Sequence, residues 1–234
     1  MGLFITFEGL DGSGKSTQAR LLFEELLRHQ LPVVLTREPG GTRISEQIRQ
    51  TLHSTANVEM LPATEVLLYS ASRAQLVGEF IRPRLADGCI VLCDRYADST
   101  MAYQGYGHGL ALALLRSITQ FATANLRPDL TIYLDLEVNT GLSRRHAAHQ
   151  AEAGELNRMD QQAVEFYRRV KQGYQEIAER DPGRWRTIDA TPKPEEVYQA
   201  VRTEVWPVIH AWLSGNGKRE ANAGTEWRSA GQST

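Results

Sequence analysis

The chain has 234 residues, 41% of them hydrophobic and 23% charged, with a formal net charge of -2. That is the length and balance of one globular domain with a full hydrophobic core. So small a net charge gives no global attraction to nucleic acid or to an anionic membrane, so any anion site must be built from local arginines and backbone N–H groups.

Leu3 to Phe7 is a short apolar run followed by a glycine-rich turn and an amphipathic stretch from Lys15 to Arg28. Pro32 introduces a strand-like run, Val33-Val34-Leu35-Thr36, and the loop Glu38-Pro39-Gly40-Gly41 leads to helical periodicity from Ser45 to Leu52. A second long helical pattern runs from Ala63 to Ala86, with a break expected near Pro83. It ends at Asp87-Gly88, before the apolar run Ile90 to Cys93. Leu110 to Ala124 reads as helix and Leu130 to Leu134 as strand. Asn139 to Ala148 and Asp160 to Arg180 read as helices separated by a polar break, His149 to Asn157. Arg186 to Asp189 is a last strand and Pro194 to Leu213 a last helix. Strands that alternate with helices, several of them continuously apolar, predict an α/β fold. The string Gly9 to Ser16, with Gly14-Lys15-Ser16 closing it between the first strand and the first helix, narrows this to a P-loop NTPase fold. Its five-stranded parallel sheet is expected to carry helices on both faces and to bind ligands at the carboxyl ends of the strands. A single domain is expected over 1–213, with a mobile lid over about 144–160. The Gly-, Asn- and Ser-rich stretch 214–234 is expected to be a disordered tail.

Cys89 and Cys93 fall four apart on one strand, too far for easy disulfide geometry and without further ligands for a metal, so both read as buried thiols. No apolar stretch approaches a membrane span, and Met1-Gly2-Leu3-Phe4 enters a strand with no cationic segment before it. A cytoplasmic location is expected, with no nucleic-acid or membrane partner.

Gly9-Leu10-Asp11-Gly12-Ser13-Gly14-Lys15-Ser16 fits G-x-x-x-x-G-K-[ST] at every fixed position, between a strand and a helix. Such a loop wraps backbone N–H groups around the phosphates of ATP, and the helix N-terminus adds its dipole. Residues Gly9, Leu10, Asp11, Gly12, Ser13, Gly14, Lys15, Ser16 and Thr17 are the expected ATP site. Lys15 should reach the β- and γ-phosphates, and Ser16 should ligate Mg²⁺. Asp94, at the end of its strand, stands where a second carboxylate would hold the metal's water shell, and Arg95 follows it into the same crevice.

A P-loop alone leaves a GTPase switch, a motor and a small-molecule kinase open. The chain has no Asn-Lys-x-Asp guanine-reading segment. A kinase needs a second anion site and a means of excluding water. Arg37, Arg49, Arg73 and Arg95 are candidates for the first, while Arg144, Arg145 and Arg158 bracket the polar break that would supply the second. Other nucleoside monophosphate or deoxynucleoside kinases, and a non-catalytic nucleotide-binding module, are the alternatives.

Several strings together resemble the thymidylate kinase family: Glu8 to Thr17, Thr36-Arg37-Glu38-Pro39-Gly40-Gly41-Thr42, Asp94-Arg95-Tyr96, and Ser99 to Gly105. Arg127 to Thr131, Asn157-Arg158-Met159-Asp160 and Thr187 to Ala190 extend the resemblance in the family's order, from about Leu3 to Leu213. The resemblance implies transfer of the γ-phosphate of ATP to dTMP, giving dTDP, by a homodimer. It further implies that Asp11 bonds the deoxyribose 3′-OH and that Arg95 grips the dTMP phosphate, with Arg37 and Arg49 as weaker candidates for the same anion. Tyr69 would stack on thymine, Arg73 would reach a thymine carbonyl, and Thr100 and Gln104 would contact the base or sugar side. Tyr103 would crowd the ribose 2′ position. Some members carry an arginine inside the P-loop where this chain has Gly12. In members without it the lid supplies the catalytic cation, which makes Arg158 the leading candidate here, ahead of Arg144 and Arg145.

Overall fold

The computed structural model describes residues 2–152 and 163–216. Five strands, β1 (Leu3–Gly9), β2 (Val33–Arg37), β3 (Ile90–Asp94), β4 (Leu130–Asp135) and β5 (Trp185–Asp189), form one sheet. All neighbours are parallel, and the order is β2-β3-β1-β4-β5. The central strand β1 is buried along its whole length, as a strand covered on both faces must be.

Alternation along β1 divides the molecule. Leu3, Ile5 and Phe7 point to one face, into a cluster with Leu22 and Leu26 of helix α1 (Lys15–Arg28) and with Val197, Val201, Val205 and Ile209 of a C-terminal helix spanning Pro194–Asn216. Fully burying a side chain such as Ile5 contributes about 2–3 kcal/mol. Phe4, Thr6 and Glu8 point to the other face. Phe4 joins Leu76, Val91 and Tyr96 there, and Thr6 pairs with Thr131 across β1 and β4 at 2.9 Å. The placement of Glu8 on this second face, fully buried, matters for the site.

The remaining helices are α2 (Arg43–His53), α3 (Pro62–Leu76), α4 (Arg82–Ala86), α5 (Ala97–Thr100), α6 (Leu112–Thr123), α7 (Val138–Glu152) and α8 (Val164–Arg180), with Pro194–Asn216 as α9. Two segments differ from the sequence reading. The break expected near Pro83 does not occur: α3 runs through a π-helical turn, Val77–Ile81, straight into α4. Pro83 lies directly after that wider turn, inside a continuous run of helix, where the shift out of α-helical pairing accommodates a residue with no N–H to donate. Residues 97–107, to which the sequence assigned no element, are helical: α5 passes into a π-helical segment, Met101–Gly107. Widening to π geometry shifts the side-chain phase, which erases the 3.6-residue pattern and often marks a functional segment. The expected lid begins on α7. Residues 153–162, Arg158 among them, and 217–234 of the expected tail lie outside the described residues.

Candidate active site

The P-loop joins β1 to α1. Gly14, at φ 91, takes the left-handed conformation that opens α1, and among the described residues no side chain caps that helix. The first-turn N–H groups are therefore left for a ligand rather than for the chain. On α2, by contrast, the Thr42 hydroxyl accepts from the Ser45 N–H. The Lys15 ammonium donates to the Leu10 carbonyl at 2.8 Å and is almost wholly buried. Burial, and then the neighbouring Arg95 charge, push it down to about 8. The Ser16 hydroxyl donates to Asp94 at the end of β3. This oxygen-only pair suits Mg²⁺, which takes one or two protein ligands and completes its shell with phosphate and water.

Beyond Asp94 the backbone turns sharply. Arg95 has φ 69, a left-handed conformation that costs a non-glycine residue free energy and has to be held by its surroundings. Its N–H donates to Phe7 O at 2.9 Å, and the next N–H, of Tyr96, donates to Glu8 Oε1 at 2.8 Å. The Arg95 guanidinium then fans across the cleft. Nη2 donates to Asp11 Oδ1 at 2.6 Å and to the Tyr103 hydroxyl at 3.1 Å, while Nη1 lies 3.0 Å from Gly9 O and 3.3 Å from both Ser99 Oγ and Tyr174 OH. The same two hydroxyls donate to Glu8 Oε2, at 2.6 and 2.8 Å. Burial, with Asp98 adding to it, pushes the Glu8 carboxyl up to about 7. Burial would raise Asp11 as well. There, however, Arg95, Arg145 and Lys15 outweigh it and hold the carboxyl well below the usual carboxylate range.

Arg145, on α7, forms an ion pair with the second oxygen of Asp11. Its neighbour Arg144 turns away and donates to Ala190 O and Thr191 O, both at 2.9 Å, on the turn between β5 and α9. Successive residues on a helix are about 100° apart. The pair therefore serves two regions, Arg145 the main cleft and Arg144 also a second cavity of about 380 Å³ beside Gly12, Gln18 and Pro192.

The main cleft, about 650 Å³, opens at the carboxyl ends of β1, β2 and β3. It brings together Asp11, Gly12, Gly14, Lys15, Ser16, Thr17, Arg37, Arg49, Tyr69, Arg73, Asp94, Arg95, Thr100, Tyr103 and Gln104. Gly9 and Leu10 lie behind it as backbone acceptors, and Ser13 lines the second cavity. At the rim, Arg37 donates to Glu46 and Arg49 to Pro39 O. At the floor, Arg73 is fully buried. Its Nε donates to Glu38 at 2.8 Å, Nη1 to Thr100 Oγ1 at 3.0 Å and Nη2 to Tyr96 O at 3.1 Å. Burial alone would lower the Arg73 pKa, but Glu38 holds the guanidinium charged.

Three contributors to this geometry escaped the sequence reading: Glu8, Ser99 and Tyr174, which together buttress Arg95. A carboxylate in the otherwise apolar string Leu3 to Phe7 and Gly9 was the available signal for Glu8. Tyr174 had none, because it arrives from α8, 79 positions further along the chain than Arg95. Among the described residues no helix is long and apolar enough to cross a membrane, and Cys89 and Cys93 are free and buried.

Comparison with known proteins adds to this geometry. The family model described as thymidylate kinase matches residues 7–201. A thymidylate kinase of Roseiflexus castenholzii is 52% identical, covering 89% of this chain and 95% of the relative. One of Herpetosiphon aurantiacus is 47% identical over 88% and 96%. The crystal structure of thymidylate kinase from Ehrlichia chaffeensis superposes with a TM-score of 0.70 at 34% identity, covering 87% of this chain and 98% of the other.

Proposed function

Because the chain belongs to the thymidylate kinase family, it transfers the γ-phosphate of ATP to dTMP, and we propose that it does so by direct in-line displacement in the main cleft. The observation that carries this mechanism is the convergence of Arg95 and Arg145 on Asp11. Two guanidinium groups concentrated at one P-loop carboxylate give the site a preorganised positive field where phosphoryl charge has to be neutralised.

On the donor side, the uncapped N-terminus of α1 and Lys15 hold the ATP phosphates, and the second cavity beside Arg144 takes the nucleoside end. Ser16 and Asp94 would hold Mg²⁺, Asp94 through water; when bound, the ion neutralises and orients the phosphate oxygens. On the acceptor side, Asp11 takes the deoxyribose 3′-OH and Arg95 grips the dTMP phosphate, its planar fork matching the oxygens. Arg37 and Arg49 add charge at the rim. Tyr69 stacks on thymine one helical turn from Arg73, which donates to a thymine carbonyl. Thr100 and Gln104 meet the base or sugar side, and Tyr103 crowds the 2′ position. The acceptor phosphate is already ionised at neutral pH, so no general base is required.

Gly12 supports placing the chain in the subgroup without a P-loop arginine. It has φ 78, and a Cβ there would meet the Gly141 carbonyl oxygen at 2.2 Å. The cation at the transferring group then comes from the 144–160 segment, where the resemblance favours Arg158 and the ion pair with Asp11 supports Arg145. Exposed Leu67 on α3 and exposed Leu114 and Phe121 on α6, two helices that pack together, support a homodimer. Two free thiols support a reducing, cytoplasmic setting.

The mechanism is tested with ATP labelled in the γ-phosphate. Label should pass to dTDP with no labelled enzyme at any time; a trapped phosphoenzyme would rule out direct transfer.

A further inference from the structure

Glu65 lies on α3 behind the cleft, 1% exposed. Its Oε1 accepts from Gln104 Nε2 at 2.7 Å, in a bond buried on both sides. His108 Nε2 stands 3.4 Å from the same oxygen, without hydrogen-bond geometry. The bond from Gln104 Nε2 to this carboxyl oxygen sets the amide with its NH₂ inward and its carbonyl oxygen outward. Gln104 Oε1 has no partner among the described residues and is not sealed in the interior, so it faces the cleft that Gln104 lines.

From this geometry we infer that Glu65 is the positioning residue that sets pyrimidine specificity, by locking Gln104 as a pure hydrogen-bond acceptor. The inference rests on the reading that Gln104 meets the base. Thymine and uracil present a donor at N3 and an acceptor at O4, whereas cytosine presents the reverse at both positions. A fixed acceptor at Gln104 beside a fixed donor at Arg73 reads the first pattern and leaves the second unpaired. Without the lock the amide of Gln104 can turn and offer its NH₂ to the cytosine N3. Arg73, tied to Glu38, Thr100 and Tyr96, cannot make the matching change.

The test compares kcat/KM for dTMP, dUMP and dCMP in the wild-type enzyme and in Glu65→Gln, whose neutral amide accepts either orientation of Gln104. The dCMP:dTMP ratio should rise at least about tenfold in the variant. The dUMP:dTMP ratio should stay within about twofold, because uracil presents the same N3 and O4 pattern as thymine. If both ratios move together the pocket has merely loosened, and if neither moves Gln104 is not steered by Glu65; either result overturns the inference. A wild-type enzyme that does not prefer dTMP to dCMP overturns the base-pocket reading itself, and the inference with it. Should Glu65→Gln fail to fold, the side-chain amide protons of Gln104 in the ¹⁵N-labelled wild type decide. Slow exchange that persists when dTMP is added supports the lock; fast exchange contradicts it.

Discussion

Asp11 and Arg95 meet across the cleft at 2.6 Å, a P-loop carboxylate against a guanidinium from the end of the neighbouring strand. On the proposed roles this one ion pair joins the donor and acceptor halves of the site, and it holds the Arg95 guanidinium in place. Arg95→Lys keeps the charge but loses the planar fork that reaches Asp11, Gly9 O and Tyr103 together. Its kcat/KM for dTMP should fall on the order of a hundredfold, while the KM for ATP stays within about twofold. Steady-state kinetics with each substrate varied in turn checks this. A variant close to wild type would mean that charge alone suffices.

Burial, and then the Arg95 charge, push the Lys15 ammonium down to about 8, and on its proposed role the cation is the form that binds phosphate. Its pKa is depressed, so the active form is lost as pH rises through that value. The kcat/KM for ATP should therefore fall above about pH 8, while kcat stays flatter, because bound phosphates favour the ammonium. Lys15→Ala should lower turnover by about a thousandfold or more without loss of the fold. Normal activity in that variant would remove the P-loop from the mechanism.

Glu8 gives a pH signature in stability. Its pKa is raised from 4.5 to about 7 by burial, so the folded chain holds this proton more tightly than the unfolded chain. The stability it contributes is complete below about pH 4.5 and is lost as pH rises through 7, a swing of about 3 kcal/mol. Glu8→Gln carries no such charge, so its stability relative to wild type should climb over that window. Urea unfolding at a series of pH values measures the difference, and parallel curves would show that Glu8 does not titrate there.

The phosphate cradle was legible in the sequence because its physics lies in local spacing: glycines that admit left-handed backbone, then a lysine and a hydroxyl at the helix start. The sheet was legible because β1 to β4 are short, mostly apolar runs between turn residues. What depends on phase or on long-range pairing was not. Sequence spacing cannot say that Arg144 points to the β5–α9 turn while Arg145 points to Asp11, since that follows from how α7 is rotated. The 97–107 helix was hidden by its π geometry. The Glu8, Ser99 and Tyr174 buttress is assembled from three separated segments.

The two described arginines of the 144–160 segment should separate kinetically. Arg145→Ala removes a cation from Asp11 in the main cleft and should lower kcat on the order of a hundredfold with a small change in KM for dTMP. Arg144→Ala loosens the turn at Ala190 and Thr191 beside the second cavity and should act mainly on the KM for ATP. Arg158→Ala, on the resemblance, should also lower kcat. If Arg145→Ala alters only KM, the cation at the transferring group lies elsewhere.

The most direct test of the whole account is the initial rate of ADP release from ATP–Mg²⁺ with dTMP, dUMP, UMP, CMP, AMP or no acceptor. Strong preference for dTMP is expected, with dUMP behind it by the roughly 10–200-fold that one methyl group supports, and near silence with UMP, whose 2′-OH would meet Tyr103 on its proposed role. Release favouring another acceptor, or equal release with none, would contradict it.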